Sequence, residues 1–232
     1  MKTYPTIDEC RGYVAAQLAK PNSTKHTPRL PAITISRQAG ARGRMIAHKL
    51  QMSLNAETPN EYIPWGLFDE NLVQKVLEDH DLPTDLEKFM PEAAVSEFES
   101  SINEILGRHP SMWSLFEKTT RTIVRLSQMG RCIVVGRAGN MITHGMSNVL
   151  RVRLIGNEVN RTYHMVHAHG MSETEAKQFI RDEDRSRSAY VKQHFHCDIN
   201  DPQTYDLVIN TDHLNDDHIV NMLVEGVNCL GA

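Results

Sequence analysis

A short glycine-containing loop between a strand pattern and a helical pattern is the part of this sequence best suited to bind an anion. Residues 33–36 are a β-type, largely apolar run, and a helical pattern begins at Arg44. Loop N–H groups and the positive end of the following helix dipole both favour a phosphate at such a position. The sequence therefore predicts a phosphate site made of Ser36, Arg37, Gln38, Ala39, Gly40, Ala41, Arg42, Gly43, Arg44 and Met45.

The loop matches the common phosphate-loop pattern G-x-x-x-x-G-K-[ST] only at Gly43. Gln38 stands at the first glycine position, Arg44 at the lysine position and Met45 at the Ser/Thr position. Arg44 retains a positive charge and can bind phosphate through two N–H groups. Met45 has no hydroxyl for Mg²⁺, so water or an acidic side chain elsewhere must replace that ligand if the metal binds. The alternative interpretation is an ordinary βα turn with exposed arginines.

Two further candidate positions follow apolar runs that are typical of buried strands. Asp69 comes directly after residues 62–68. There it can orient Mg²⁺ through water, accept a proton from an acceptor hydroxyl, or cap the next helix. Gly136 and Arg137 follow the run that starts at residue 131. Arg137 can bind a phosphate or a carboxylate, or it can be a surface arginine.

Arginines on two predicted helices are the remaining candidates. Arg121 and Arg125 lie one turn apart, and either can reach a bound substrate. At least two of Arg181, Arg185 and Arg187 can share one side of a helix, where they can neutralise negative charge on a substrate. The alternative is a solvated charged helix, because acidic residues occupy positions 182–184.

Composition limits the classes of protein that the chain can belong to. With 232 residues, 40% hydrophobic and 23% charged, it is predicted to be globular with a substantial core. The net charge of −4 argues against non-specific binding to nucleic acid or a membrane surface, and no apolar run approaches ~20 residues. The N-terminus lacks a signal-peptide core, and the cysteines have no C-x-x-C spacing, so we expect a reduced, cytoplasmic protein. The histidines lack a second ligand pair at zinc-site spacing, so no metal cluster is predicted.

Apolar periodicity alternates along the chain between strand and helix patterns. Strands are predicted at 32–36, 62–68, 131–136, 149–155 and 206–210, and helices at 44–54, 70–78, 113–129, 157–168, 172–187 and in a C-terminal segment through residue 227. Short strands joined by helical crossovers predict an α/β fold in three layers, with a parallel five-stranded sheet covered on both faces. Ligands of such sheets bind at the carboxyl ends of the strands, where the loop, Asp69 and Arg137 are predicted to lie.

Residues 1–30 are predicted to be a helical arm and linker, and residues 31–232 to be one domain. The arm is either a disordered end or a helix that packs on its own domain or on a second subunit, which would make a homo-oligomer.

Five segments together give the chain a resemblance to the cytidylate kinase-like family, a branch of the P-loop nucleoside monophosphate kinases. They are ITISRQAGARGR at 33–44, FDENL at 68–72, IVVGRA at 133–138, DRSRSAY at 184–190 and DPQTYDLVINT at 201–211. The resemblance extends over about residues 32–227. The loop of that family typically reads S-R-x-x-G-x-G-G-R, so Arg44 fits the pattern while Arg42 replaces a glycine.

The resemblance implies transfer of the γ-phosphoryl group of ATP, with Mg²⁺, to a nucleoside monophosphate such as CMP or dCMP. It also implies that Gly40, Gly43 and Arg44 hold the donor phosphates, that a helical insertion at about 82–130 covers the acceptor, and that residues 172–200 form a lid. The implied catalytic residues are Arg44, Asp69, Arg181, Arg185 and Arg187, and the implied substrate-binding residues are Asp69, Arg121, Arg125, Gly136 and Arg137.

Two other functions remain open at this point. A kinase of a small non-nucleotide metabolite fits as well, because a short second strand ending in aspartate and a helical acceptor cover also occur in shikimate kinase-like proteins. A non-catalytic nucleotide sensor fits because Arg42 and Met45 make the loop atypical, and the N-terminal arm would then signal to a partner.

Overall fold

Five parallel strands form one sheet at the centre of the molecule. The computed structural model describes residues 30–59, 63–69 and 114–230. The strands are β1 (Ala32–Arg37), β2 (Gly66–Phe68), β3 (Cys132–Val135), β4 (Val149–Ile155) and β5 (Leu207–Asn210). They pair in the order β2-β3-β1-β4-β5, and every pairing is parallel. The predicted α/β fold class is therefore confirmed.

Helices cover both faces of this sheet. In the described ranges they are α1 (Gly43–Glu57), α2 (Ser114–Met129), α3 (Gly139–Ile142), α4 (Glu158–His169), α5 (Glu173–Phe195) and α6 (Asp216–Leu230). A single turn of 3₁₀-helix, Pro202–Thr204, precedes β5. None of the described helices is both long enough and apolar enough to span a membrane.

Alternating strand residues divide the core into two apolar clusters, one on each face. Ile33 and Ile35 of β1 pack with the buried faces of α1 and α6. Ala32, the neighbour of Ile33, packs on the opposite face with residues of α2 and α3. Because side chains of a strand alternate between the two faces, the near-continuous apolar runs of β1 and β3 are buried on both sides. This arrangement fixes the carboxyl edge of the sheet, where the loop begins.

The second strand is shorter than predicted. It was expected at 62–68, but only Gly66–Phe68 pairs with β3. The backbone of Trp65 is held by α1 instead: its N–H donates to Asn55 Oδ1 at 2.6 Å, and its carbonyl accepts from Gln51 at 2.9 Å. Side chains of the neighbouring helix thus replace the ladder at the edge of the sheet.

The helix predicted at 172–187 continues to Phe195. A capping box between Ser172 and Glu175 begins it, and His196 in a left-handed conformation ends it. The extension is held in place by Val191, which is buried. The short helix α3 after β3 was not predicted, because a single turn carries no periodicity.

Several predictions fall outside the described residues. They are the arm over residues 1–29, the helix at 70–78, and the insertion from 82 to 113. The division into an arm and one domain therefore stays a prediction.

Gly130 provides a test of how α2 and β3 are joined. Its φ is +74°, and a Cβ there would collide with the carbonyl oxygen of Leu30. We expect Gly130→Ala to lower the free energy of unfolding by at least about 1 kcal/mol, because the left-handed backbone alone costs a non-glycine residue about 1–2 kcal/mol. Gly145→Ala is the matched control, since a Cβ at Gly145 meets no atom within 4 Å. Equal stability of the two variants in chemical denaturation would contradict the expectation.

Candidate active site

The turn from β1 into α1 is built to receive an anion. The backbone N–H groups of Gly40, Arg42 and Gly43 donate to no other residue in the described part of the chain. They lie at the N-terminus of a 15-residue helix, whose dipole adds positive potential. Gly40 has φ +79°, and a Cβ on it would lie 2.7 Å from the carbonyl oxygen of Arg161. Glycine is therefore required there for α4 to approach the loop.

An acidic side chain from α5 already binds one N–H group of the loop. The N–H of Ala39 donates to Asp184 Oδ1 at 2.8 Å. Arg161 of α4 bridges the same two residues, with Nη1 at 2.5 Å from Asp184 Oδ2 and 3.1 Å from the carbonyl of Ala39. The carboxylate of Asp184 and the guanidinium of Arg161 thus hold the loop to helices α5 and α4.

A cleft of about 540 Å³ opens beside the loop at the carboxyl edge of the sheet. Arg44 and Lys49 of α1 and Arg187 of α5 bring positive charge to it. Asp69, at the end of β2, and Glu183 are acidic side chains that line it. Its apolar wall comes from Leu67, Val135, Met45, Met165, Ala168 and Phe179.

The predicted residues Arg44, Asp69 and Arg187 meet in this cleft. Arg44 Nη2 lies 3.4 Å from Asp69 Oδ2, and the Asp69 side chain is only 8% exposed. Arg187 donates to Glu183 at 2.6 Å and to the carbonyl of Arg37 at 3.4 Å. Three separate elements therefore place opposite charges around one space, although the catalytic role of each residue remains a prediction.

Other residues of the predicted phosphate site have side chains that attach the loop to neighbouring segments. Ser36 Oγ accepts from buried Arg153 at 2.8 Å. Gln38 Oε1 accepts from the N–H of Gly156 at 2.9 Å. Arg37 is buried and packs across Gly43, where a Cβ would lie 2.8 Å from Arg37 Cγ. Ala39 and Ala41 are also buried, so the side chains of these residues shape the loop.

The remaining predicted residues lie away from the walls of this cleft. Arg181 is exposed and donates to Gln178 at 3.0 Å, and Arg185 is exposed on the same helix. Arg125 is buried on α2, and Arg121 lies one turn before it. Gly136 and Arg137 follow β3 with φ of 87° and 54°. Burial raises the pKa of Tyr190 on α5, while the charge of Arg137 opposes that rise.

A second cavity of about 460 Å³ adjoins the cleft, and the two share five lining residues: Gly40, Arg42, Met45, His164 and Ala168. Thr211, Asp212 and Leu214, which follow β5, form one wall. The opposite wall carries Tyr163 and His167 of α4, whose rings stack with centroids 3.8 Å apart. The second cavity thus has a stacked aromatic pair and polar groups on its walls, and it lies next to the loop between β1 and α1.

Electrostatics around this shared region lower the pKa of His164. Burial is the largest cause, and the positive charges of His169 and Arg42 add to it, while Asp216 opposes them. Asp212 is held below its usual pKa: burial works against this, but hydrogen bonds from Asn157 and Asn160 outweigh it. The cavity therefore combines a histidine that resists protonation with a stabilised carboxylate.

Sequence reasoning missed Arg161 and Asp184. Both contact Ala39, but they are 122 and 145 residues away from it in sequence. In the sequence, Asp184 is an acidic neighbour of the predicted lid arginines and part of the DRSRSAY segment, neither of which indicates a contact with the loop, and Arg161 has no motif around it that distinguishes it from a surface arginine. An i-to-i+4 helix pattern gives no information about which loop a helix will contact.

The strand order, with an anion-binding loop after the central strand, defines a P-loop kinase fold. The model of the cytidylate kinase-like family matches residues 32–213. The chain belongs to the cytidylate kinase-like family. This membership supports a phosphotransferase of the kinase class.

Solved structures provide a further comparison. The chain is similar to an uncharacterized protein from Eubacterium ventriosum, with TM-score 0.68 and 17% identity over 86% of this chain and 98% of that one. A shikimate kinase from Bacteroides thetaiotaomicron matches with TM-score 0.43 and 13% identity over 85% and 98%. A gluconokinase from Sinorhizobium meliloti matches with TM-score 0.45 and 10% identity over 88% and 95%. At these identities the likeness concerns the fold alone. No curated protein matches the chain.

The lowered pKa of His164 predicts a pH dependence of stability. The unfolded chain takes up a proton near the ordinary value of 6.5, whereas the folded protein resists it. Stability that is present above pH 6.5 is therefore lost as the pH falls through the lower pKa of the folded state. We expect His164→Gln to make the loss of stability between about pH 7 and pH 5 shallower. Denaturation at several pH values measures this, with His144→Gln, an exposed loop histidine, as the substitution control. An unchanged slope in His164→Gln would contradict it.

Proposed function

We propose that the protein transfers the γ-phosphoryl group of ATP to a small acceptor, and that the acceptor is a nucleoside monophosphate, with CMP or dCMP as the first candidates. The observation that carries this proposal is the meeting of Arg44, Arg187 and Asp69 beside a loop in which three N–H groups have no acceptor among the described residues. Phosphoryl transfer depends mainly on positioning and on charge neutralisation, which such a cleft supplies.

The proposed chemistry needs no covalent intermediate with the protein. An acceptor oxygen forms a bond to the γ-phosphorus while the bond to the β-phosphate oxygen breaks, and ADP leaves with the electron pair. The loop N–H groups would hold the donor phosphates. Arg44 and Arg187 would stabilise the charge that develops on the transferring group, since guanidinium groups bind phosphate oxygens in pairs.

A magnesium ion fits the acidic side chains of the cleft. The carboxylates of Asp69 and Glu183 both line it, and Mg²⁺ is usually bound by one or two carboxylates, water and substrate phosphates. Met45 supplies no oxygen at the position where a Ser/Thr hydroxyl would serve, so Asp69 would take that role directly or through water. When bound, the ion would neutralise phosphate charge.

The second cavity supports a nucleotide as the donor. Tyr163 and His167 provide a stacked aromatic surface, and Thr211, Asp212 and Asn160 provide polar atoms near it. A donor with phosphates on the loop could place its base there, because the two cavities join at Gly40 and Arg42. We assign this cavity to the base of the donor.

The function is tested by measuring Mg²⁺-dependent ATP consumption against a panel of nucleoside monophosphates and small hydroxylated metabolites. Selective turnover of CMP or dCMP is expected. Turnover of a metabolite alone would show that the acceptor is not a nucleotide, while the assignment of the protein as a kinase would stand. ATP binding without turnover of any acceptor would overturn the enzyme proposal in favour of a sensor.

Arg44→Ala and Arg187→Ala are each expected to lower kcat by at least about tenfold, because each removes a cation that faces the transferring group. Lys177→Ala is the control for loss of charge on α5, since Lys177 is exposed and pairs with Glu173 alone in the described contacts. Steady-state kinetics with folded variants, checked by circular dichroism, measure the effect. Unchanged kcat in both arginine variants would contradict the assignment of Arg44 and Arg187 to the active site.

A further inference from the structure

The side chain of Arg42 makes its hydrogen bonds to a segment far away in the sequence, the connection between β5 and α6. Its Nη1 donates to Asp216 Oδ1 at 2.8 Å. Its Nη2 donates to the carbonyl of Thr211 at 2.6 Å and to that of Leu214 at 2.7 Å. One guanidinium thus holds both ends of a four-residue stretch and the first turn of the helix that follows.

The backbone of Arg42 is in a conformation that favours glycine. Its φ is 58° and its ψ is 15°, and it is the residue that precedes α1. A left-handed backbone is less stable than the right-handed form for a residue with a side chain. Glycine would avoid that cost, but it would leave two backbone carbonyls and a carboxylate without this donor. The three charge-assisted hydrogen bonds, made by a side chain that is 21% exposed, offset the cost.

A second cation reinforces the same connection. Lys49 of α1 lies 3.5 Å from Asp216 and 2.8 Å from Asp217. Both carboxylates are in the first turn of α6. Of the two carboxylates, Asp216 pairs with both Arg42 and Lys49, whereas Asp217 pairs with Lys49.

The connection held by Arg42 is also a wall of the second cavity. Thr211 and Leu214, whose carbonyls accept from Arg42, both line that cavity, and so does Arg42 itself. The phosphate-binding loop and this wall therefore have a fixed separation as long as the Arg42 contacts persist.

We propose that Arg42 is a positioning residue that sets the distance between the phosphate-binding loop and the wall of the second cavity. It thereby tunes affinity for a donor that carries both a triphosphate and a base. The proposal rests on the proposed function for the identity of that donor. The side chain of Arg42 acts on the base through residues 211–214, whereas the phosphates are held by loop N–H groups that Arg42→Gly and Arg42→Lys retain.

The test compares two ligands that share the triphosphate but differ in the base. Binding of Mg²⁺–ATP and of Mg²⁺–tripolyphosphate is measured by calorimetry for the wild type, Arg42→Gly and Arg42→Lys. Arg42→Gly should weaken ATP binding by on the order of tenfold, as three charge-assisted hydrogen bonds are lost. Tripolyphosphate binding should change by less than about threefold. Arg42→Lys should fall between, because an ammonium cannot reproduce the planar fork. In turnover, KM for ATP should rise while kcat stays near the wild-type value.

Two acidic variants supply a matched pair. Asp216→Asn should weaken ATP binding in the same direction as Arg42→Gly, whereas Asp217→Asn, which removes an ion pair to Lys49 and not a contact of Arg42, should not. Thermal melts establish that each variant folds. If Arg42→Gly does not fold, the comparison of the two ligands is made with Arg42→Lys.

Equal losses for ATP and tripolyphosphate would overturn the proposal, since Arg42 would then act on the phosphates. Unchanged ATP binding in Arg42→Gly and Arg42→Lys would overturn it as well. Both results leave the proposed function intact. A wild-type protein that binds neither ligand, or tripolyphosphate alone, would overturn the proposed function and this inference with it.

Discussion

Backbone N–H groups at the carboxyl end of β1 need acceptors, and the rest of the site depends on how that need is met. β1 is the central strand of a sheet buried on both faces, so the turn that leaves it cannot shift without disturbing the core. Gly40 lets α4 approach within contact distance of the turn, and Gly40, Arg42 and Gly43 line the cleft. Helices α4 and α5 then cover the loop through Arg161 and Asp184.

The loop is also held by the segments that follow β4 and β5. Arg42 links it to the connection after β5, and Gln38 links it to Gly156 after β4. These contacts come from segments that follow neighbouring strands of the sheet, so the order β3-β1-β4-β5 is what brings them to one place. The shape of this turn is therefore a property of the whole carboxyl edge of the sheet.

Sequence reasoning recovers the parts of this arrangement that local pattern encodes. Residues 33–44 predict a strand, a turn and a helix, and the structure has them within one residue at each strand end and within three at the helix end. Anion binding by the turn stays a prediction. Pattern could not assign Arg42, because its partners are about 170 residues away. Nor could it separate Arg187 from Arg181 and Arg185, since only the packing of α5 on the loop decides which arginine meets the cleft. The short second strand likewise follows from tertiary contacts, those of Trp65 with α1.

Carboxylates accompany three of the cations that line the cleft. Arg44 lies beside Asp69, Lys49 beside Asp217, and Arg187 beside Glu183. Asp184 occupies the N–H of Ala39 in the same way, as an oxygen acceptor at 2.8 Å. Under the proposed function, a phosphate in this cleft would exchange one anionic partner of each cation for another, so most of the electrostatic gain would be a difference between two favourable interactions. The carboxylates orient these cations in the described structure, and the proposed site would favour ligands with several phosphate oxygens, because these can replace several partners at once.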